Sequence, residues 1–126
     1  MREYKFRGKR VDNGGWVYGD LLASGDKLYI VLAYEANADY GDEVDLYATE
    51  FYQVIPETVG QFTGLKDKNG VEIYEGDIVL SYAHVFKTVV DYDGVVGGFQ
   101  PFIATQGSFY AEECKVIGNI HEGETQ

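Results

Sequence analysis

The sequence contains very little cysteine, histidine and proline. It has one cysteine, Cys114, with two histidines and two prolines among 126 residues. A single cysteine excludes a disulfide within the chain, and one thiol with two distant histidines lacks the ligand spacing of a zinc site. The chain shows neither a secretory signal nor an apolar run long enough to span a membrane. We therefore expect a cytoplasmic protein without membrane contact.

Positive charge is also scarce. Ten Lys and Arg residues stand against 21 Asp and Glu, which gives a net charge of −11. Half of the basic residues lie in the first ten positions: Arg2, Lys5, Arg7, Lys9 and Arg10. Binding to nucleic-acid phosphates needs clustered Lys and Arg, so we do not expect direct nucleic-acid binding. The basic segment is typical of an edge strand whose charges discourage aggregation; the alternative is a contact to an acidic partner or to phosphate.

Long helical periodicity is absent as well. Nowhere do apolar residues recur at the three- and four-residue spacing that a stable helix requires, so parallel βαβ units are excluded. The chain instead has 16 glycines and 11 tyrosines. This composition, with many turn signals between short apolar runs, predicts an all-β protein.

The stretch 63–79 is the strongest local signal. Asn69 and Gly70 lie between segments of apolar alternation and suit a two-residue type I′ hairpin. A type I turn that begins at Asp67 and ends with a left-handed Gly70 and a bulge is equally compatible. Either turn predicts a hairpin, after which Gly76 and Asp77 redirect the chain into a buried strand.

Several segments resemble the YopX family of phage and prophage proteins. They are ETVGQFTGLKDKNG (57–70), IYEGDIV (73–79), KFRGKR (5–10), GGWVYGD (14–20) and VIGNI (116–120). The resemblance implies an all-β protein whose C-terminal half is a small SH3-like barrel, from a phage or a prophage-bearing bacterium. The family has no established activity. The acidic loop 33–45 and the tail after Ile120 depart from the family pattern, so no role is carried over to them.

Together these patterns predict two parts. An N-terminal antiparallel β region spans residues 1–55, an SH3-like β-barrel spans 56–121, and a flexible tail spans 122–126. Pro56 marks the boundary, because proline biases the preceding residue towards extended conformations. Exposed strand edges and the apolar run 28–32, which reads as a strand buried on both faces, make a homo-oligomer plausible.

No combination of residues predicts catalysis or metal binding. The serines lack a nucleophile-elbow context, and Cys114 has no neighbouring His signature. Asp39, Asp42 and Asp45 are three positions apart, whereas the ligands of an EF-hand loop occur at alternating positions. This spacing favours a solvated loop over a calcium site. We expect neither enzymatic activity nor a cofactor.

Binding to a protein partner is the better-supported class of function. SH3-like barrels commonly present aromatic side chains beside acidic loops. Prolines of an extended partner segment stack on these aromatic rings, and basic residues that flank the prolines pair with the acidic side chains. The candidate partner-binding residues are Tyr74, Asp77, Tyr82, Tyr92 and Phe99. The predicted function is a non-enzymatic protein–protein interaction module acting in the cytoplasm of a bacterial host. The alternative is an acidic DNA mimic that inhibits a host DNA-binding protein, with carboxylates in place of phosphates.

Overall fold

The computed structural model describes residues 5–37, 45–81, 86–95, 97–102 and 110–124. Within these residues the chain forms antiparallel strands and two short 3-10 turns, Pro56–Thr58 and Ala111–Glu113, and no α-helix. The all-β prediction is therefore confirmed. The strands are β1 (Phe6–Lys9), β2 (Trp16–Ser24), β3 (Lys27–Asn37), β4 (Asp45–Val54), β5 (Gly60–Lys66), β6 (Glu72–Tyr74), β7 (Asp77–Ser81), β8 (Phe86–Val89), β9 (Asp91–Asp93), β10 (Gly98–Gln100), β11 (Cys114–Asn119) and β12 (Gly123–Glu124).

The chain divides into two compact units. One comprises residues 4–59, and the other includes residues 60–126. The division of the sequence into domains at Pro56 stays a prediction. Each unit has its own cluster of buried apolar side chains.

The N-terminal unit is an antiparallel meander in which β1, β2, β3 and β4 pair in sequence order. Successive side chains of a strand point to opposite faces of the sheet. One face places Val17, Ile30 and Val54 in a buried cluster. Partly buried apolar side chains surround this cluster: Phe6, Leu21, Leu28, Tyr52 and Val59.

The last strand of this meander also pairs with the segment that follows β1. The N–H of Val11 donates to the carbonyl of Gln53 (3.0 Å), and the N–H of Ile55 donates to the carbonyl of Lys9 (2.9 Å). An antiparallel bridge joins Arg10 and Val54 between these two bonds. The sheet of the N-terminal unit thus curls until its first and last strands meet at one end.

The predicted strand at 28–32 is only partly buried. Ile30 and Val31 are buried, but Leu32 is exposed. The register between β3 and β4 shifts on either side of Ala33, and Leu32 has no directly paired residue in β4. The prediction of a strand buried on both faces is therefore wrong for its last residue.

The C-terminal unit contains the β5–β6 hairpin, a sheet with the order β12-β11-β7-β8, and the β9–β10 hairpin. Its buried cluster contains six residues, namely Ile73, Val79, Val90, Phe99, Ala111 and Cys114. The strand β12 pairs with Gly118 and Asn119 of β11, so the sheet continues into the segment predicted as a flexible tail.

The β5–β6 hairpin forms as predicted, with the second of the two compatible turns. The N–H of Gly70 donates to the carbonyl of Asp67 (3.0 Å), and the N–H of Asp67 donates to the carbonyl of Val71 (2.8 Å). Gly70 has φ = 80°, a left-handed conformation that side chains with a Cβ adopt only with strain. The turn therefore favours glycine at this position.

We expect Gly70→Val to destabilise the protein by about 1–3 kcal/mol, because a β-branched residue is strained at a positive φ. Thermal unfolding followed by circular dichroism measures the change. Lys66→Val, at an exposed position of β5, is the control and should unfold near the wild-type temperature. Equal stability of the Gly70 variant would contradict the turn assignment.

Candidate interaction surface

Two of the residues predicted to bind a partner are buried structural groups. The carboxylate of Asp77 accepts a hydrogen bond from the N–H of Tyr74 at 2.7 Å, and both residues are almost fully buried. The ring of Tyr74 packs against Phe62, with the ring centroids 5.4 Å apart. Its hydroxyl donates to Glu72 at 3.1 Å. In this conformation a partner has no access to Asp77 or to the ring of Tyr74.

The other predicted residues differ from one another. Phe99 and Tyr92 are directly opposite in the β9–β10 pair, and their rings make an edge contact at 5.2 Å. Phe99 is buried in the core of the C-terminal unit, whereas Tyr92 is 46% exposed. Tyr82 lies outside the described residues. Among the four that are described, Tyr92 alone presents its side chain to solvent.

The stretch 63–79, which gave the strongest local signal in the sequence, contains the buried carboxylate of Asp67. The Oδ1 atom of Asp67 accepts hydrogen bonds from the N–H groups of Asn69 (2.8 Å) and Val71 (2.9 Å). Its Oδ2 atom accepts one from the N–H of Val116 (2.9 Å), in strand β11. Asp67 is 5% exposed. A buried carboxylate is stable only when it is well bonded, and these three donors give both of its oxygens partners.

The single thiol is held in its protonated form. Cys114 is fully buried, and its Sγ donates to the carbonyl of Tyr110 at 3.0 Å. Burial and then the neighbouring carboxylates, of which Glu113 contributes most, raise the pKa of this thiol to about 11. The thiolate is the nucleophilic form, so Cys114 is poorly suited to covalent chemistry at neutral pH.

The described residues contain no group of three or more Cys, His, Asp or Glu side chains placed to hold a metal ion. Asp39 and Asp42 of the acidic loop lie outside the described residues, and Asp45 begins β4. Within the same described segments, no helix has the length and apolar character needed to cross a membrane.

Several large apolar side chains are exposed on the solvent face of the N-terminal sheet. Leu22 stands opposite Tyr29 in the β2–β3 register, and directly paired residues share a face. The Tyr29 ring makes an edge contact with Phe51 of β4, with the centroids 5.9 Å apart. Tyr18 lies on the same face of β2 as Leu22, four positions earlier. Tyr18, Leu22 and Phe51 are 47%, 45% and 49% exposed.

Tyr34 and Asp20 complete this surface. Desolvation, followed by the negative charge of Asp20 and hydrogen bonding to it, raises the pKa of the Tyr34 phenol. Both side chains are exposed. We call this surface the aromatic face, made of Tyr18, Asp20, Leu22, Tyr29, Tyr34 and Phe51.

Sequence reasoning placed partner binding in the C-terminal half and overlooked the aromatic face. The sequence of β2 nonetheless contains a pattern that indicates this surface. Val17 and Leu21 point to the core, while Tyr18 and Leu22 point to the other face. A sheet with one solvated face normally alternates apolar with polar residues, so large apolar residues on both faces indicate a second buried or binding surface.

Comparison with protein families assigns the chain to a known family. It matches the YopX family, described as YopX protein, over residues 5–124. This match spans nearly the whole chain, so the chain belongs to the YopX family, and the resemblance found in its motifs is confirmed.

A solved structure is similar to this chain over nearly its whole length. The crystal structure of protein EF1440 from Enterococcus faecalis is similar to the chain, with a TM-score of 0.61 and 26% sequence identity. The similarity covers 97% of this chain and 96% of that one. No curated protein is significantly similar to the chain.

We expect Asp67→Asn to destabilise the protein by about 2–3 kcal/mol. The amide nitrogen of asparagine would face at least one of the backbone N–H groups that the carboxylate now accepts from. Chemical denaturation followed by fluorescence measures the loss. Asp26→Asn, at an exposed turn position, is the control; an equal effect of both variants would contradict this role for Asp67.

We also expect native Cys114 to resist alkylation between about pH 7 and about pH 9, because both burial and its raised pKa disfavour the thiolate. Iodoacetamide labelling followed by mass spectrometry measures the rate. The same protein in denaturant is the control and should react as an ordinary thiol. Rapid labelling of the folded protein would show that the thiol is accessible and ionised.

Proposed function

We propose that this YopX protein is a non-enzymatic protein–protein interaction module that binds its partner through the aromatic face. The observation that carries the proposal is the exposure of Tyr18, Leu22 and Phe51 on one face of the sheet, with Asp20 among them. Contiguous exposed apolar surface is typical of interaction sites. Aromatic side chains are enriched at such sites because they combine a large apolar area with limited conformational freedom.

The chemistry of the buried groups supports a role without catalysis. Asp67 and Asp77 accept hydrogen bonds from backbone N–H groups, and the thiol of Cys114 is protonated at neutral pH. The burial of each of these groups is accounted for by the hydrogen bonds that it makes within the fold.

We also propose that the C-terminal unit is an SH3-like barrel. Its strands are short, and Gly76 and Gly118 both have positive φ. The β7–β11 register shifts next to Gly118, as a bulge at a barrel corner would produce. The family resemblance to phage and prophage proteins supports action in the cytoplasm of a bacterial host.

The test is affinity capture from host lysate with the wild-type protein and with Leu22→Ser/Phe51→Ser, repeated over a salt series. We expect the wild-type protein to retain a partner at high salt, because apolar contacts are not screened. The double variant should lose at least about tenfold of that capture. Circular dichroism checks that both proteins are folded.

Two variants with single exposed aromatic changes serve as comparisons. Tyr110→Ser removes a 52% exposed ring of the C-terminal unit and should leave capture unchanged. Loss of capture in Tyr92→Ser alone would move the binding site to the β9–β10 hairpin. Capture of a DNA-binding protein that salt releases steeply, without an effect of the double variant, would favour the charge mimic. Recovery of only the protein itself would indicate a homo-oligomer.

A further inference from the structure

The strands β3 and β4 continue together beyond the rest of their sheet. Their register runs from Leu28↔Val54 to Asn37↔Asp45. By contrast, the β2–β3 register ends at Asp20↔Val31. Among the described residues, the part beyond Val31 is therefore a two-stranded extension. We call it the β3–β4 ribbon, made of residues 33–37 and 45–50.

This ribbon exposes apolar side chains that a two-stranded structure cannot bury. Leu46 is 68% exposed, and Tyr34 and Tyr47 are also exposed. A two-stranded antiparallel ribbon is marginally stable in water, and a third strand adds both hydrogen bonds and apolar contact. Natural proteins normally protect a long edge strand with charge, proline or a covering segment.

The outer edge of β4 already accepts a strand at one end. Lys9 and Val11 bond to Ile55 and Gln53 on the side of β4 that faces away from β3. Backbone N–H and C=O groups alternate sides along a strand, so those of Phe51 point the same way as those of Gln53. No described residue pairs with this edge from 45 to 52, where β4 is the end strand of its sheet. A second segment placed there would extend an antiparallel ladder that has already begun, across the register shift that leaves Thr49 without a β3 partner.

The charge of this region identifies the kind of partner. No Lys, Arg or His occurs between Lys27 and Lys66 in the sequence. Within the described ribbon, Glu35, Asp45 and Glu50 are exposed carboxylates. Two of them accept hydrogen bonds from tyrosines at 3.1 Å, Glu35 from Tyr47 and Glu50 from Tyr52, and each keeps further lone pairs for a cation. A second copy of this chain that paired through the same edge would instead bring carboxylates against carboxylates.

We propose that the outer edge of β4, from residue 46 to 51, binds a basic, extended segment of a partner protein by antiparallel strand addition. The partner's backbone completes the ladder, its lysine or arginine side chains pair with the carboxylates of the ribbon, and its apolar side chains cover Leu46 and Phe51. Backbone pairing supplies affinity and the alternating side chains supply specificity. This inference rests on the proposed interaction function and names the chemistry of the partner.

The probe is a short synthetic peptide that alternates lysine and valine, titrated against the full-length protein and followed by fluorescence anisotropy. Two matched peptides separate charge from strand pairing. One alternates glutamate and valine. The other keeps lysine and valine but carries N-methyl groups on alternate residues, which remove the hydrogen bonds of one strand edge.

We expect the lysine–valine peptide to bind and the glutamate–valine peptide not to bind. N-methylation should weaken binding at least about tenfold. Amide hydrogen exchange read by NMR should show new protection at residues 46–51, a change that a diffuse electrostatic contact would not produce. Raising the salt concentration should weaken the complex without abolishing the protection at saturating peptide.

The protein variant is Asp45→Asn/Glu50→Gln, with Glu112→Gln/Glu113→Gln as its control. Both double variants change the net charge equally, but the control removes exposed carboxylates of the C-terminal unit. The ribbon variant should bind the peptide about fivefold more weakly, and the control should bind nearly as the wild type.

Equal binding of the N-methylated and unmodified peptides would overturn strand addition. So would protection confined to another strand, or self-association that protects 46–51 while excluding the peptide. The proposed function is judged separately. If capture of a lysate partner depends on Leu22 and Phe51 but the peptide does not bind, only this inference is rejected. The proposed interaction function is then still supported. Peptide binding along β4 without any lysate partner supports this inference and leaves the proposed function without support.

Discussion

The carboxylate of Asp67 joins two segments that are 49 positions apart in the sequence. It closes the turn of the β5–β6 hairpin through the N–H groups of Asn69 and Val71, and it fixes β11 through the N–H of Val116. Since a buried carboxylate without donors would be strongly destabilising, the hairpin and β11 must form together around it. The packing of Cys114 depends on this arrangement, because Cys114 begins the same strand and its carbonyl accepts the N–H of Lys68 at 2.9 Å. The core of the C-terminal unit is thus organised around one polar side chain.

The same reasoning explains why the most recognisable motif of this family carries no evident chemistry. Thr63 donates its hydroxyl hydrogen to the carbonyl of Ile73 (2.8 Å) and accepts the N–H of Leu65 (3.1 Å). Asp77 accepts the N–H of Tyr74. The buried polar side chains Thr63, Asp67 and Asp77 thus satisfy backbone groups, as buried polar groups must. In this molecule the buried polar residues of the motif serve the fold, and the surface that we propose for a partner lies on exposed strands elsewhere.

Local signals in the sequence predicted much of the fold. Turn chemistry located the hairpin at Asn69 and Gly70, and the absence of helical periodicity gave the all-β class. The candidate site was harder to predict, because exposure depends on which face of a strand meets the core. Tyr92 and Phe99 are neighbours in one ladder, yet one is exposed and the other is buried. Leu32 reads as part of a buried run, but the register shift in β3 leaves it exposed. Neither outcome is visible in residue type alone, since both follow from tertiary pairing.

The closure of the N-terminal sheet has a consequence for how the chain folds. The bridge between Arg10 and Val54 joins residues that are far apart in sequence, and such nonlocal pairing slows folding because loop entropy is lost before the contact is gained. During synthesis β1, β2 and β3 emerge from the ribosome before their closing partner exists. The meander can pair progressively as each hairpin appears, but its two ends cannot meet until Ile55 is free of the exit tunnel. We therefore expect this seam to form late in folding and to open early in unfolding.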